Sequence, residues 1–280
     1  MQFFKHLRLG ISSYWDAMLF IHRKRWYWYI LIPAALMLVI YAMGDLLRTH
    51  TVVPNFASMN GIVWYAIQLM IEISIALLLM KFAKYLVVIV LSPLLSFLSQ
   101  KCEKELTGNR YPFNLNLLIE DVKRGLKIAL RNIMWEYFFF LIIFVVSKFG
   151  WENPRESPVF YLTFFIGFFY YGFSFIDYIN ERRRLEVHES IFFIRQHRGL
   201  AIGIGAIYSL LILVPVDLSA LFSIHQIFND TSTGVPRFLL HLFLWLCASI
   251  APILAIIAAT ISMHKLVDLS KNSYSVKKTE

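Results

Sequence analysis

The sequence predicts an all-α integral membrane protein with two long spanning helices, two helical hairpins and interfacial amphipathic helices. Three observations carry that prediction. Hydrophobic residues make up 58% of the 280 positions and charged residues only 16%, too little polar surface for a soluble globule of this length. Apolar tracts at about 26–43, 62–98, 137–147, 158–176, 200–216 and 238–263 are separated by polar connections, and about 20 residues suffice to cross the hydrocarbon core as a helix. Lys and Arg number 5, 7, 5 and 4 in residues 1–25, 99–136, 177–198 and 264–280, against 1, 2 and 1 in the alternate connections 44–60, 148–157 and 217–237. Such a positive-inside bias puts both termini and the two basic connections in the cytoplasm; the expected location is the inner (plasma) membrane, as a multi-pass chain.

Residues 1–22 carry Phe3, Leu7, Ile11, Trp15 and Met18 at spacings of three and four, with Lys5, Arg8, Ser12 and Asp16 between them. That periodicity predicts a helix lying in the headgroup plane of the inner leaflet. The stretch lacks a compact apolar core and a small-residue cleavage site, so it is expected to stay on the chain. Residues 23–105 supply the two spanning helices, the second continuing past the interface because Lys81, Lys84 and Ser92-Pro93 interrupt its tract. Residues 114–180 form the first hairpin. Its first arm starts as an amphipathic helix from Leu115 and merges into the apolar 137–147 tract. Residues 185–198 read as a short amphipathic helix, 199–268 as the second hairpin and 269–280 as a polar tail. Tracts 137–147 and 200–216 are short, so both hairpins either cross fully or dip part-way. The whole chain is one membrane domain.

Composition and motifs narrow the function. The net charge of +9 comes from cations flanking apolar segments, a distribution that argues against nucleic-acid binding. Nucleophile elbow, zinc-protease, phosphate-loop and dinucleotide motifs are all missing, so neither an enzyme nor a cofactor is expected. His188 and His197, on opposite sides of a helix, read as solvated interface residues rather than metal ligands. Cys102 and Cys247 suggest neither a disulfide framework nor a metal site. Asp177, Glu181 and Arg182-Arg183-Arg184 read most simply as a solvated helix end with local ion pairs.

Two groups of charges are candidates for anion handling. Arg23, Lys24 and Arg25 precede the first spanning tract, where they either anchor the helix at the membrane surface or bind an anion; the two roles are compatible. Glu72 lies inside a tract, where it either lines a polar path or makes a buried hydrogen bond, and when ionised it would be a barrier to an anion. Lys81 and Lys84, about a turn apart, either snorkel to the interface or meet an anion in a vestibule.

The segments LSPLLSFLSQKCEKELTGNRYPF (91–113) and FIDYINERRRLEVHESIFFIRQHR (175–198), with the apolar pair LAIGIGAIYSLLILVP and APILAIIAATISM, resemble the CysZ-type sulfate permease family, which includes the eukaryotic etoposide-induced membrane proteins. ILIP at 30–33 resembles the family's first span, whereas Asp217 and Ala258-Ala259-Thr260 depart from the pattern. The resemblance implies two true spans and two part-way hairpins, a homo-oligomer in the lipid bilayer, and passage of sulfate or a related oxyanion inward for assimilation. It also implies that Arg23, Lys24 and Arg25 stand where family members contact sulfate. Without an ATP-binding element, such transport is passive or driven by an ion gradient. The alternative is a membrane-embedded interaction or lipid-organising protein whose amphipathic helices are the working parts.

Overall fold

The computed structural model describes residues 2–49, 87–111, 115–151, 157–212, 214, 216–222 and 231–271. They fold into helices α1 (Gln2–Lys24), α2 (Leu31–Thr49), α3 (Ser92–Thr107), α4 (Leu115–Gly150), α5 (Leu162–Arg182), α6 (Val187–Gln196), α7 (Arg198–Ile212), α8 (Leu218–Phe222) and α9 (Thr231–Val267). Short 3-10 turns at Trp26–Ile30, Pro158–Tyr161 and Leu269–Lys271 link or follow them. No strand occurs among the described residues. The protein is an all-α, multi-pass membrane protein.

Three stretches are long and apolar enough to cross a bilayer: Lys123–Gly150, Pro158–Arg182 and Gly234–Val267. At about 1.5 Å per residue each exceeds the roughly 30 Å hydrocarbon core. Both arms of the first hairpin therefore have the length for full crossing. The amphipathic start of α4 and the apolar 137–147 tract are one continuous helix, as the merging stripes predict. The second hairpin is asymmetric, because α7 has 15 residues while α9 has 37. A fourth candidate is the pair α1 and α2, bent by 119° at their junction.

The C-terminal half of α9 is the hub. Ala248, Ala251, Ile253 and the run from Ala255 to Ala259 are fully buried, and α9 packs against α1, α2, α3, α5 and α7. Helix α7 lies between α1 and α5. A Cβ on Gly172 would fall 1.8 Å from the carbonyl oxygen of Ala201, and one on Gly205 1.8 Å from that of Phe168. Glycine is required at both positions because the α5 and α7 backbones touch. Close backbone approach is how helices associate in lipid, where burying apolar area gives no advantage over facing acyl chains.

Helix α1 forms, with its small residues and not its apolar stripe turned to the protein. Gly10, Ser13, Tyr14, Ala17 and Ile21 face the protein, Tyr14 donating from its hydroxyl to the Ile204 carbonyl at 2.7 Å. The stripe of Phe3, Ile11, Trp15 and Met18 points outward, each more than 40% exposed. Lys265 and Asp16 pair at 2.6 Å and hold α1 to the end of α9.

Candidate anion site

The last turn of α1 carries His22, Arg23 and Lys24. Cations there satisfy the negative end of the helix dipole. Arg25 then adopts a left-handed conformation (φ 54°, ψ 42°), donates its backbone N–H to the His22 carbonyl at 3.2 Å, and turns the chain into the Trp26–Ile30 segment. The bend thus projects Arg23, Lys24 and Arg25 outward as an apex, all three exposed. Helix α2 starts at Leu31, so the cations sit one 3-10 segment before it, not at its first turn.

The apex is seated against α3. Trp26 is buried, edge-on to Phe20 at 5.2 Å. Lys101 lies 4.9 Å from the Trp26 ring centre and 5.0 Å from that of Tyr29, and it donates to the Tyr29 hydroxyl at 2.8 Å. Ring faces attract an ammonium, so Lys101 clamps the 3-10 segment to α3. Further along α3, Glu105 forms an ion pair with Lys24. The Lys24 hydrogen bond, with the charges of Lys24, Lys104 and Lys101, holds the Glu105 carboxyl below its ordinary range. Lys24, Lys101 and Lys104 therefore act on the Glu105 carboxylate, and Arg23 and Arg25 flank Lys24 at the exposed bend.

Behind the bend lies a buried polar lattice that the local sequence gave no reason to expect. Glu103, fully buried, accepts from Arg182 Nε at 3.0 Å and from the Asn109 amide at 3.2 Å, and it bonds the Tyr111 hydroxyl. Arg182 also donates to Ser99 Oγ at 2.7 Å and to the Tyr178 carbonyl at 3.2 Å, and Ser99 bonds Thr260 of α9 at 2.7 Å. Asn109 reaches the Leu269 carbonyl at 2.8 Å. A second cluster joins Arg124 to both Asp177 oxygens at 3.1 and 3.2 Å, with Ser190 and Asn180 completing it. Asp177 and Arg182 are 3% and 8% exposed, which corrects the reading of that run as a solvated helix end. Their partners come from other helices, so a local charge pattern cannot reveal them. Beside Asp177 a shallow cleft is lined by Val88, Gly125, Ile128, Ser174, Tyr178 and Glu181, and both of its carboxylates pair with Arg124.

His197 is likewise not a solvated residue, for it stacks on Phe193 at 4.4 Å and meets the His6 ring at 4.9 Å. Of the sequence candidates, Arg23, Lys24 and Arg25 come together at the bend, whereas Glu72, Lys81 and Lys84 lie outside the described residues. Lys101 and Lys104, counted only as topology charges, and Glu105, which was not singled out, are the residues that sequence reasoning missed. Their pairing with the bend spans 81 positions between Lys24 and Glu105, a separation at which no periodicity speaks.

The family model described as sulfate transporter CysZ/etoposide-induced protein 2.4 matches residues 13–222, or 210 of the 280 residues. That span contains the bend, α3 and the buried Arg182–Glu103 and Arg124–Asp177 ion pairs. A search of curated proteins finds no match.

Proposed function

The chain belongs to the sulfate transporter CysZ/etoposide-induced protein 2.4 family, and from that premise we propose that it passes sulfate, or an oxyanion of like charge and shape, across the inner (plasma) membrane without ATP hydrolysis. The observation that carries the reading is the bend, which exposes three consecutive cations, Arg23, Lys24 and Arg25, beside Lys101 and Lys104 of α3. Guanidinium and ammonium groups on a turn offer charge-assisted hydrogen bonds to several oxygens of one tetrahedral anion at once. Arg23 and Arg25 provide planar donor forks, Lys24 a movable point charge, and Lys101 keeps the segment in place. On inward passage a doubly charged anion is drawn towards this concentrated positive field as it reaches the cytoplasmic side.

The cation bias of the connections supports placing this bend and both termini on the cytoplasmic side. Passive or gradient-driven flux then supplies sulfate for assimilation. Assembly as a homo-oligomer fits the short α7 and the charged connection of the first hairpin, since charge at membrane depth needs protein or water around it. The test is uptake of radiolabelled sulfate by proteoliposomes, against empty liposomes and with sulfite as competitor. Protein-dependent, sulfite-sensitive uptake supports the reading, and uptake equal to that of empty liposomes removes it.

A second reading, a lipid-organising protein, is favoured by the outward stripe of α1. Its test is replacement of Ile11, Trp15 and Met18 by Gln, which spares the packed face. Loss of vesicle binding or remodelling with intact sulfate flux would assign that role to α1 alone.

A further inference from the structure

We infer that Arg131 of α4, Arg195 of α6 and the Tyr170 hydroxyl of α5 hold the phosphate of an anionic phospholipid, whose acyl chains lie along α4 beyond Met134. The inference does not depend on the bend. Three helices meet here at one level. The Asn132 amide donates to the Tyr170 carbonyl at 3.3 Å and to Ser174 Oγ at 3.2 Å, and Gly172 abuts Ala201, just past the corner between α6 and α7. From Arg131 to Gly150, α4 rises about 28 Å at 1.5 Å per residue, close to the roughly 30 Å of a hydrocarbon core. The Arg131 guanidinium therefore stands at the edge of the hydrocarbon, the level of lipid phosphates.

The charge at that level is positive. The field of Arg195 reaches both Arg131 and the Tyr170 hydroxyl, and among the described residues neither arginine forms an ion pair. The carboxylates whose fields reach the site, Asp177 and Glu136, are engaged by Arg124 and by the Tyr171 hydroxyl. Arg131 is held 5.5 Å from the Phe173 ring centre and donates to Asn132 Oδ1 at 3.2 Å, which leaves the rest of its planar fork for a phosphate. The Tyr170 hydroxyl bonds no group among the described residues and can donate beside it. What makes the occupant a lipid is the surface beyond. Met134, Trp135, Phe138, Leu141 and Val145 continue the face of Arg131 at helical spacing, each at least 42% exposed, and Phe192, one turn before Arg195, is exposed as well. A free oxyanion would use the arginines alone, whereas a phospholipid engages both the arginines and the apolar track. A choline headgroup would add a cation beside two guanidiniums, and a glycerol headgroup leaves the lipid its net negative charge, so the site favours the anionic lipid.

The experiment is tryptophan quenching in the purified full-length protein, in mixed micelles carrying phosphatidylglycerol or phosphatidylcholine with brominated acyl chains. Trp135 lies on the track one turn past Arg131, so phosphatidylglycerol should quench more at equal mole fraction, and Trp135→Phe should remove most of that excess. Affinity for phosphatidylglycerol relative to phosphatidylcholine should fall about fivefold in Arg195→Gln and about 25-fold in Arg131→Gln/Arg195→Gln. Arg131→Lys/Arg195→Lys keeps both charges and should keep more of the preference than the Gln pair. Arg184→Gln, which removes an exposed cation of the same basic connection, should shift the ratio by less than about twofold. Equal quenching by the two lipids, an excess that survives Trp135→Phe, or a loss in Arg184→Gln as large as in Arg195→Gln overturns the inference. Size-exclusion profiles and unchanged quenching by phosphatidylcholine establish that the variants are folded. Arg195 is exposed, so Arg195→Gln carries the test if the double variant does not fold. Calorimetry with inorganic phosphate separates a lipid from a free oxyanion, and wild type and the double variant should give the same heats. A phosphate heat lost in the double variant, with no preference between the two lipids, would assign the arginines to a free oxyanion and overturn the inference.

Discussion

Replacing Arg182 with Met tests the lattice that holds the bend's scaffold together. The guanidinium bonds Glu103, Ser99 and the Tyr178 carbonyl at 3.0, 2.7 and 3.2 Å. Without it, the Glu103 carboxylate stays fully buried and keeps only uncharged donors such as Asn109 and Tyr111. Orphaning one member of a buried ion pair costs about 3–5 kcal/mol. Removing both charges, in Glu103→Gln with Arg182→Met, eliminates the stranded carboxylate and should recover at least about half of that loss. The assay is reversible unfolding in mixed detergent micelles, followed by tryptophan fluorescence and analysed as a double-mutant cycle. A single-variant loss below about 1 kcal/mol, the range of an exposed pair, would refute the assignment of this lattice as a buried structural element.

Two other outcomes follow from geometry. Gly172→Val drives a side chain into the Ala201 carbonyl, 1.8 Å from where its Cβ must lie, so α5 and α7 cannot close and the expected loss exceeds about 4 kcal/mol; recovery of properly folded protein in size-exclusion chromatography would contradict it. The Lys24–Glu105 pair lowers the carboxyl's folded-state pKa, so its small contribution is present above the unfolded value of about 4.3 and lost as pH falls through the lowered one. Thermal midpoints of wild type and Glu105→Gln should therefore keep a constant gap between about pH 5.5 and 8 and converge below about pH 4.

The helical membrane class and the continuity of α4 were legible in the sequence, because tract length and hydrophobic periodicity are local properties. The protein-facing side of α1 was not. In water the large apolar stripe of Phe3, Ile11, Trp15 and Met18 would face inward, but lipid accepts it equally well, and the small residues Gly10, Ser13 and Ala17 win the interface because they let backbones approach. Asp177 and Arg182 were misread for a related reason. Their sequence neighbourhood is that of a solvated helix end, and only Arg124 and Glu103, 53 and 79 positions away, make their burial tolerable. At the bend, the three consecutive cations were visible, whereas Lys101 and Glu105 could be assigned to them only once α3 was placed against Trp26.

The central claim, that the bend binds the transported anion, is tested most directly by sulfate calorimetry on the Arg23→Gln/Lys24→Gln/Arg25→Gln variant. Charge-assisted hydrogen bonds contribute about 1.5–3 kcal/mol each, so losing even two should weaken sulfate binding by at least about 100-fold. Oligomeric state and expression should persist, because the cations of the other basic connections continue to set topology. Unchanged sulfate affinity, with altered protease access to the N-terminus, would make the cluster a membrane anchor and contradict the account.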